Sequence, residues 1–328
     1  MATVTILIAV YNAEHFLQEC LDSLKAQTFG DFQAICVDDA STDGSLSILH
    51  SYAAGDARFE VISLQENVGQ ARARNIALER ATGEYTCFLD SDDWLSPDAL
   101  QSAMDAFRTD DALDCVLFDV LFTDEHRNPI RHYPMETTFP MKGNEAFEAS
   151  LTWKIHGVYM TRTSIHQRFP YDDSSRSYSD DNTTRLHYLS SREVGLCSGV
   201  YHYRQHAEST THQVSVRRFD YLRANKSMKS QLMELGVDNR ILDIYENVRW
   251  LNVIDLYMFY FNNRRALGRK DAAYGLAEIK QAWADIEVKR LTFRNRFKFG
   301  YCPIRFSWSL FRLQEELYFT LRNIKNRF

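Results

Sequence analysis

Val4-Thr5-Ile6-Leu7-Ile8-Ala9-Val10-Tyr11-Asn12 is the stretch on which the fold turns. Its first seven residues are all apolar or β-branched, with no polar residue at a strand or helix period. A strand buried on both faces reads this way, and such strands belong to parallel sheets covered by helices. The run stops abruptly at Tyr11-Asn12. Outward from it the chain alternates. Phe16, Leu17, Cys20, Leu21 and Leu24 repeat at helical spacing. A second strand is predicted over 32–37. A helix marked by Leu46, Ile48, Leu49 and Tyr52 follows the turn-prone Ser41-Thr42-Asp43-Gly44. A third strand (60–64), a helix over 71–81 with Gly83 as its C-cap, and a strand over 85–89 come next. Pro97 opens a helix carrying Leu100, Met104 and Phe107, and a strand over 115–122 closes the series. The expectation is an α/β fold, a mostly parallel mixed sheet flanked by helices.

Between residues 124 and 203 the pattern loosens. Short strands are predicted at 158–161 and 200–203, and 171–182 reads as a polar loop. Beyond Arg217 strand signals vanish, and Leu222, Met228, Leu232, Leu235, Ile241, Ile244, Tyr245, Val248 and Leu251 mark amphipathic helices. The boundary is predicted near residue 212, between a catalytic body (1–212) and a helical C-terminal region (213–328).

With 45% hydrophobic and 25% charged residues, the 328-residue chain is a folded protein and not a disordered one. A net charge of −6 argues against nucleic acid as a partner. That figure conceals an asymmetry. Residues 286–328 hold ten Lys/Arg against three acids, a net +7, which leaves −13 for the rest. The six cysteines form no CxxC pair, the N-terminus lacks a basic, cleavable leader, and no apolar run reaches membrane-span length. A cytoplasmic protein with reduced thiols is expected.

In open α/β sheets, ligands bind beyond the carboxyl ends of the strands. The first strand ends in Tyr11-Asn12, the second in Asp38-Asp39-Ala40-Ser41-Thr42-Asp43, and the strand over 85–89 in Asp90-Ser91-Asp92-Asp93. Two acidic clusters thus meet on one rim. Carboxylates packed together need a cation or hydrogen-bond donors, and hard oxygen ligands suit Mg²⁺ or Mn²⁺ shared with substrate phosphates. The plainer reading of each cluster is a solvated turn with helix-capping aspartates. No glycine-rich phosphate loop follows the first strand, which counts against a dinucleotide enzyme or an NTPase. A nucleotide diphosphate would be held by metal and by arginine, and Arg72 and Arg74 are placed for that.

Ala9-Val10-Tyr11-Asn12, Gln27-Thr28-Phe29, Val37-Asp38-Asp39-Ala40-Ser41-Thr42-Asp43-Gly44-Ser45, Asn67-x-Gly69-x-x-x-Ala73-Arg74-Asn75, Gly83-Glu84-Tyr85 and Phe88-Leu89-Asp90-Ser91-Asp92-Asp93 occur in that order. This set resembles the family 2 glycosyltransferases of the GT-A fold, densely over about residues 3–122 and thinly to about 212. The resemblance implies a metal-dependent, inverting transfer of a sugar from a nucleotide-sugar, usually UDP-linked. The acceptor would be a glycan or a lipid-linked one in bacterial surface-polysaccharide synthesis. It implies that Asp39 pairs with the base beside Tyr11, with Asn12 and Ala9 flanking that pocket, where the family often has Pro in place of Ala9. Arg74 would approach the diphosphate. Asp90 and Ser91 would lie near the ribose, and Asp92, with Asp90, would bind Mn²⁺ or Mg²⁺. The general base would be Asp181, or its neighbour Asp180, in Ser179-Asp180-Asp181-Asn182, where the plainer role is a helix cap. Tyr201-His202-Tyr203-Arg204-Gln205-His206 resembles the family's closing segment, with His206 as a further candidate ligand against the plainer reading of an exposed loop histidine. Trp153-Lys154-Ile155-His156-Gly157 falls where the family places its acceptor loop, and Trp153 reads equally as core packing.

Three alternatives fit less well. A sugar-phosphate nucleotidyltransferase wants a glycine-rich basic loop after the first strand. An aspartyl-nucleophile phosphatase wants its acidic pair there, followed by Thr or Ser. A degenerate glycan- or nucleotide-binding module has no need of the retained acids. The tail interleaves Phe293, Phe297, Phe299, Tyr301, Phe306, Trp308, Phe311, Tyr318, Phe319 and Phe328 with its ten cations. Such a segment can lie on an anionic membrane, here the inner face of the cell membrane, or form a helical cap on the body or a second subunit.

Overall fold

The computed structural model describes residues 2–173, 179–205 and 214–325. These fall into two compact units, the first holding 2–173 and 179–205 and the second 214–325.

The first unit is built on one ten-stranded sheet. β1 (Val4–Val10), α1 (Leu17–Lys25), β2 (Phe32–Asp38), α2 (Ser45–Gly55), β3 (Phe59–Ser63), α3 (Gln70–Glu79) and β4 (Tyr85–Phe88) alternate as the sequence pattern predicts. β5 (Trp94–Leu95), α4 (Ala99–Thr109), β6 (Leu113–Thr123), β7 (Pro129–His132), β8 (Met141–Lys142), α5 (Gly143–Leu151), β9 (Tyr159–Arg162), α6 (Thr163–Arg168), α7 (Ser179–Ser190) and β10 (Glu193–Arg204) follow. The strand order is β3-β2-β1-β4-β9-β6-β10-β5, with β7 added beside β6 and β8 beside β10. The long pairings are parallel, β1 with β2 and β4, β2 with β3, and β6 with β10. β9 runs antiparallel between β4 and β6. The architecture is therefore α/β, a GT-A-like mostly parallel mixed sheet flanked by helices.

The register aligns the functional ends. Val10 sits opposite Asp38 and Leu7 opposite Phe88, so the loops after β1, β2 and β4 leave along one edge, at the switch of strand order between β1 and β4. Ile6, Ile8, Leu17, Leu21 and Leu24 are buried together between the sheet and α1. Gly83 departs from its expected role. α3 ends at Glu79, so Gly83 lies beyond the cap. A Cβ there would stand 2.7–2.9 Å from the β1 backbone at Thr3, Val4 and Thr5. Only glycine lets the chain pass that close on its way into β4.

Two predictions were short. β10 begins at Glu193 and not at 200, and α7 begins at Ser179 inside the stretch read as a loop. The first turn of α7 is polar, so hydrophobic periodicity could not announce it.

The second unit is helical: α8 (Asp220–Glu234), α9 (Asn239–Asn263), α10 (Gly268–Asp285), α11 (Phe293–Phe297) and α12 (Trp308–Lys325). Trp250, Tyr257, Ile279, Phe311 and Phe319 form its own core. Among the described residues no helix is long and apolar enough to cross a membrane.

Candidate active site

The loops after β1 and β2 are sewn together by side chains. Thr42 N–H donates to Asn12 Oδ1 at 2.8 Å, Asn12 N–H to Ser41 Oγ at 3.1 Å, and Ala13 N–H to Ser45 Oγ at 2.9 Å. Asn12 and Ala40 both adopt positive φ, 49° and 59°. For non-glycine residues that is a strained conformation, one that clusters at ligand sites. Asn12 therefore serves here as the brace of the rim. Tyr11 beside it is half-exposed and Ala9 is partly buried. Asp39 is buried, with its carboxylate accepting from the N–H groups of Val68 at 2.7 Å and Gly69 at 2.8 Å. Gly69, at φ 92°, opens α3, so Asp39 ties the β2 loop to that helix N-terminus.

Arg74, on α3, is buried beneath the rim and ion-paired with Asp90. Its guanidinium lies over the rings of Phe88 and Tyr171, at 4.3 and 5.3 Å. It holds Asp90 from below, whereas Arg72 is exposed. Gln70 Nε2 also donates to Asp90, at 2.9 Å. Burial pushes the Asp90 carboxyl up, Arg74 draws it down, and Asp92 and Asp180 raise it again by like charge. Asp180, about ninety residues downstream, is thus within electrostatic reach of the Asp90–Asp92 turn. Ser91 and Asp92 are partly exposed at its tip.

Behind the turn stands a layer that sequence reasoning missed. Tyr201 OH accepts from Asp90 N–H at 3.1 Å and donates to buried Asp93 at 2.8 Å. Arg204 N–H donates to Asp93 at 2.7 Å, and its Nε donates to the Asp92 carbonyl at 2.8 Å. The Arg204 guanidinium, packed on Trp94 and Phe16, ends on Glu19. Burial, with Asp92 and Asp90 beside it, pushes the Asp93 carboxyl well up, so Asp93 is an anchor of the turn. These partners lie up to 185 positions apart in the chain, beyond any motif.

Asp180 and Asp181 occupy the first turn of α7, where helix N–H groups favour negative charge. Burial pushes Asp181 up to about 7, Arg185 draws it down, and Asp180 adds to the rise. Arg185 Nη2 lies 3.8 Å from Asp181 Oδ2, one turn on. That i,i+4 spacing was the available signal for Arg185. Its guanidinium also faces the Trp153 ring at 6.0 Å. Trp153 is 53% exposed at φ 59°, so core packing is not its role. Tyr133 OH donates to its carbonyl, and Tyr188 OH donates to the His156 carbonyl, pinning the loop against α7.

His206 lies outside the described residues. Among those described, no three His, Cys, Asp or Glu side chains gather closely enough to hold a metal alone. Mg²⁺ and Mn²⁺ ordinarily take one or two carboxylates and complete their shell with substrate phosphates and water. Asp92 and Asp90 supply that donor class. Gln70 and Arg74 both bond Asp90 at Oδ1, which leaves Oδ2 for a cation. The residues fit such an ion.

The chain matches the profile of Glycosyl transferase family 2 over residues 5–169, half of its length. It is 31% identical over 227 residues to the Bacillus subtilis protein named as the glycosyltransferase EpsH, covering 66% of this chain and 65% of that one. A second Bacillus subtilis protein, TuaG, named for teichuronic acid biosynthesis, is 42% identical over 102 residues, which is 31% of this chain and 40% of the relative. The chain thus spans less than two thirds of the length of these curated relatives. Among solved structures, S. aureus TarS 1-349 in complex with UDP-GlcNAc has a TM-score of 0.74 at 19% identity, covering 97% of this chain and 91% of that one. At that identity the likeness is one of fold.

Proposed function

The chain belongs to glycosyl transferase family 2, and from that premise we propose that it moves a sugar from a nucleotide-sugar to a glycan or lipid-linked acceptor in cell-surface polysaccharide synthesis. The observation that carries this reading is the convergence of Asp39, Asp90 and Asp92 with the downstream Asp180–Asp181 pair at one edge of the sheet. The donor in this reading is UDP-linked, its base beside Asp39 and Tyr11. Asp92, with Asp90, would hold Mn²⁺ or Mg²⁺. When bound, that cation supplies Lewis-acid stabilisation of the charge growing on the departing diphosphate.

The chain's own groups do the rest. Asp181, ionised, takes the proton of the acceptor hydroxyl as its oxygen attacks the anomeric carbon. The bond from that carbon to the diphosphate oxygen breaks in the same displacement, so the anomeric configuration inverts. Arg185 keeps Asp181 ionisable and holds it toward the Trp153 loop. The exposed Trp153 ring is the platform on which the acceptor would rest. We place the reaction in the cytoplasm, where nucleotide-sugars are available and where all six thiols stay unpaired.

Two variants test the reading together. Asp181→Asn should bind UDP like the wild type yet transfer about 10²–10⁴-fold more slowly. Asp92→Asn should lose cation-dependent nucleotide binding. Normal turnover by Asp92→Asn, or a product that retains the donor's configuration, would overturn the mechanism.

A further inference from the structure

The tail does not pack as one thing. α12 is apolar on two opposite faces. Phe311, Glu315 and Phe319 are buried along one. Leu310, Leu313, Leu317, Leu321 and Ile324 run along the other, 47%, 67%, 51%, 52% and 50% exposed. At 3.6 residues per turn their spacing confines them to about a quarter of the helix circumference. Phe293, Phe297, Phe299 and Phe306 add rings that are 80%, 65%, 47% and 84% exposed. Phe299 meets Tyr318 of α12 edge-on at 6.0 Å, which ties the loop after α11 to that helix. Nine large apolar side chains outward on one short segment exceed the scattered exposure of an ordinary soluble surface.

The charges are sorted across this segment. Its three acids point inward or are paired. Glu315 is buried, Glu316 meets Arg312 and Arg264, and Glu287 meets Lys229 and Arg290. Several of its cations have no such partner. Arg294 and Lys298 lie over the Tyr301 ring at 6.0 and 4.6 Å. Arg296 and Arg305 donate to backbone carbonyls. Among the described residues none of these four, nor Lys325, has a carboxylate within 4 Å. The exposed surface of this segment therefore carries apolar side chains and cations together.

We propose that this face docks on an anionic phospholipid bilayer. Phosphate-bearing headgroups answer the cations, and the headgroup–acyl boundary takes the phenylalanines and leucines. The leucine stripe alone would also suit a seam with a second copy. A second copy, however, brings the same cations against these ones, which like-charge repulsion disfavours. The proposal goes beyond sugar transfer and is read without it, so either can fail alone.

Removing the tail is not a clean test, because Leu291, Phe311 and Phe319 belong to the core of the second unit. Substitutions on the exposed face are. Full-length protein, Arg294→Glu/Lys298→Glu and Phe293→Ser/Phe297→Ser/Phe306→Ser should be sedimented with phosphatidylcholine vesicles, with and without phosphatidylglycerol. Circular dichroism checks that each is folded. The wild type should pellet only with phosphatidylglycerol, and less as salt rises. The charge-reversed protein should bind about tenfold or more weakly, and the serine variant should also lose binding. Equal pelleting of all three, or none by the wild type, overturns the proposal. A concentration-dependent dimer that Leu313→Lys/Leu317→Lys abolishes, with no vesicle binding, would assign the face to a second copy.

Discussion

Asp181 shows how one residue is tuned by burial and neighbours. A general base works only when ionised, and burial has moved Asp181 up to about 7. kcat/KM should therefore be low in acid and rise through about pH 7. The Arg185 guanidinium draws this carboxyl down. Arg185→Gln should move the midpoint alkaline by about one unit, the lower end of what a close opposite charge does. Asp181→Asn should flatten the profile. A pH series of kcat/KM on the three proteins checks this, and an unmoved midpoint in Arg185→Gln would remove Arg185 from the mechanism. The same shift has a cost in stability. Because the folded state raises this pKa, the group's contribution falls as pH climbs from the ordinary carboxylate range through about 7. Residues of this kind differ in how well the sequence announces them. Asp39, Asp90 and Asp92 stand where apolar strands stop, and a rim of polar strand ends is legible without a structure. Tyr201 and Arg204 lie in the stretch that resembles the family's closing segment, but their hold on the Asp90–Asp93 turn, and the part Glu19 takes in it, exist only because the fold brings them together.

At the scale of elements, the strands buried on both faces were the legible ones. β1, β2, β4 and β6 carry apolar runs because the sheet has helices on both sides. β7 left no such signal, since all four of its residues are exposed. β9 was visible as a strand, but its antiparallel insertion between β4 and β6 is a long-range pairing that local pattern does not encode. Gly83 shows how an element's placement depends on one missing carbon. The backbone passes β1 with no room for a Cβ, and the atoms it would meet are backbone atoms that cannot turn aside. Gly83→Ala should destabilise the protein by roughly 1–3 kcal/mol, as overpacking does. Gly30→Ala, where nothing lies within 4 Å, is the control and should change little. Urea unfolding of both variants measures the difference, and equal midpoints would show that the β1–β4 approach can relax. Because Asp90 follows β4, the transferase activity of Gly83→Ala should fall with its stability.

For the whole molecule the telling quantity is where the charge lies. Outside residues 286–328 the chain carries −13, and the candidate site gathers Asp39, Asp90, Asp92, Asp180 and Asp181 on one rim. A nucleotide diphosphate is itself an anion. It should bind such a rim poorly alone, and a divalent cation alone finds no cluster of three His, Cys, Asp or Glu side chains among the described residues. The two should bind together or hardly at all. A ligand that binds only the folded state stabilises it by RT ln(1 + [L]/Kd), about 2.7 kcal/mol at a hundredfold excess over Kd. For a chain of this size that is a rise of several degrees in apparent melting temperature. Thermal scans with UDP-sugars alone, Mn²⁺ alone and both should therefore give two small shifts and one large one. A chelator should reverse the large shift, and Asp92→Asn should abolish it. A large cation-dependent shift with GDP-sugars in place of UDP-sugars would replace the base assigned to the Asp39 pocket while keeping the acidic rim as a metal–diphosphate site. Shifts that merely add, or that survive the loss of Asp92, would mean that the repulsion on this rim is relieved by its own arginines and backbone donors, and the cation would have no place in donor binding.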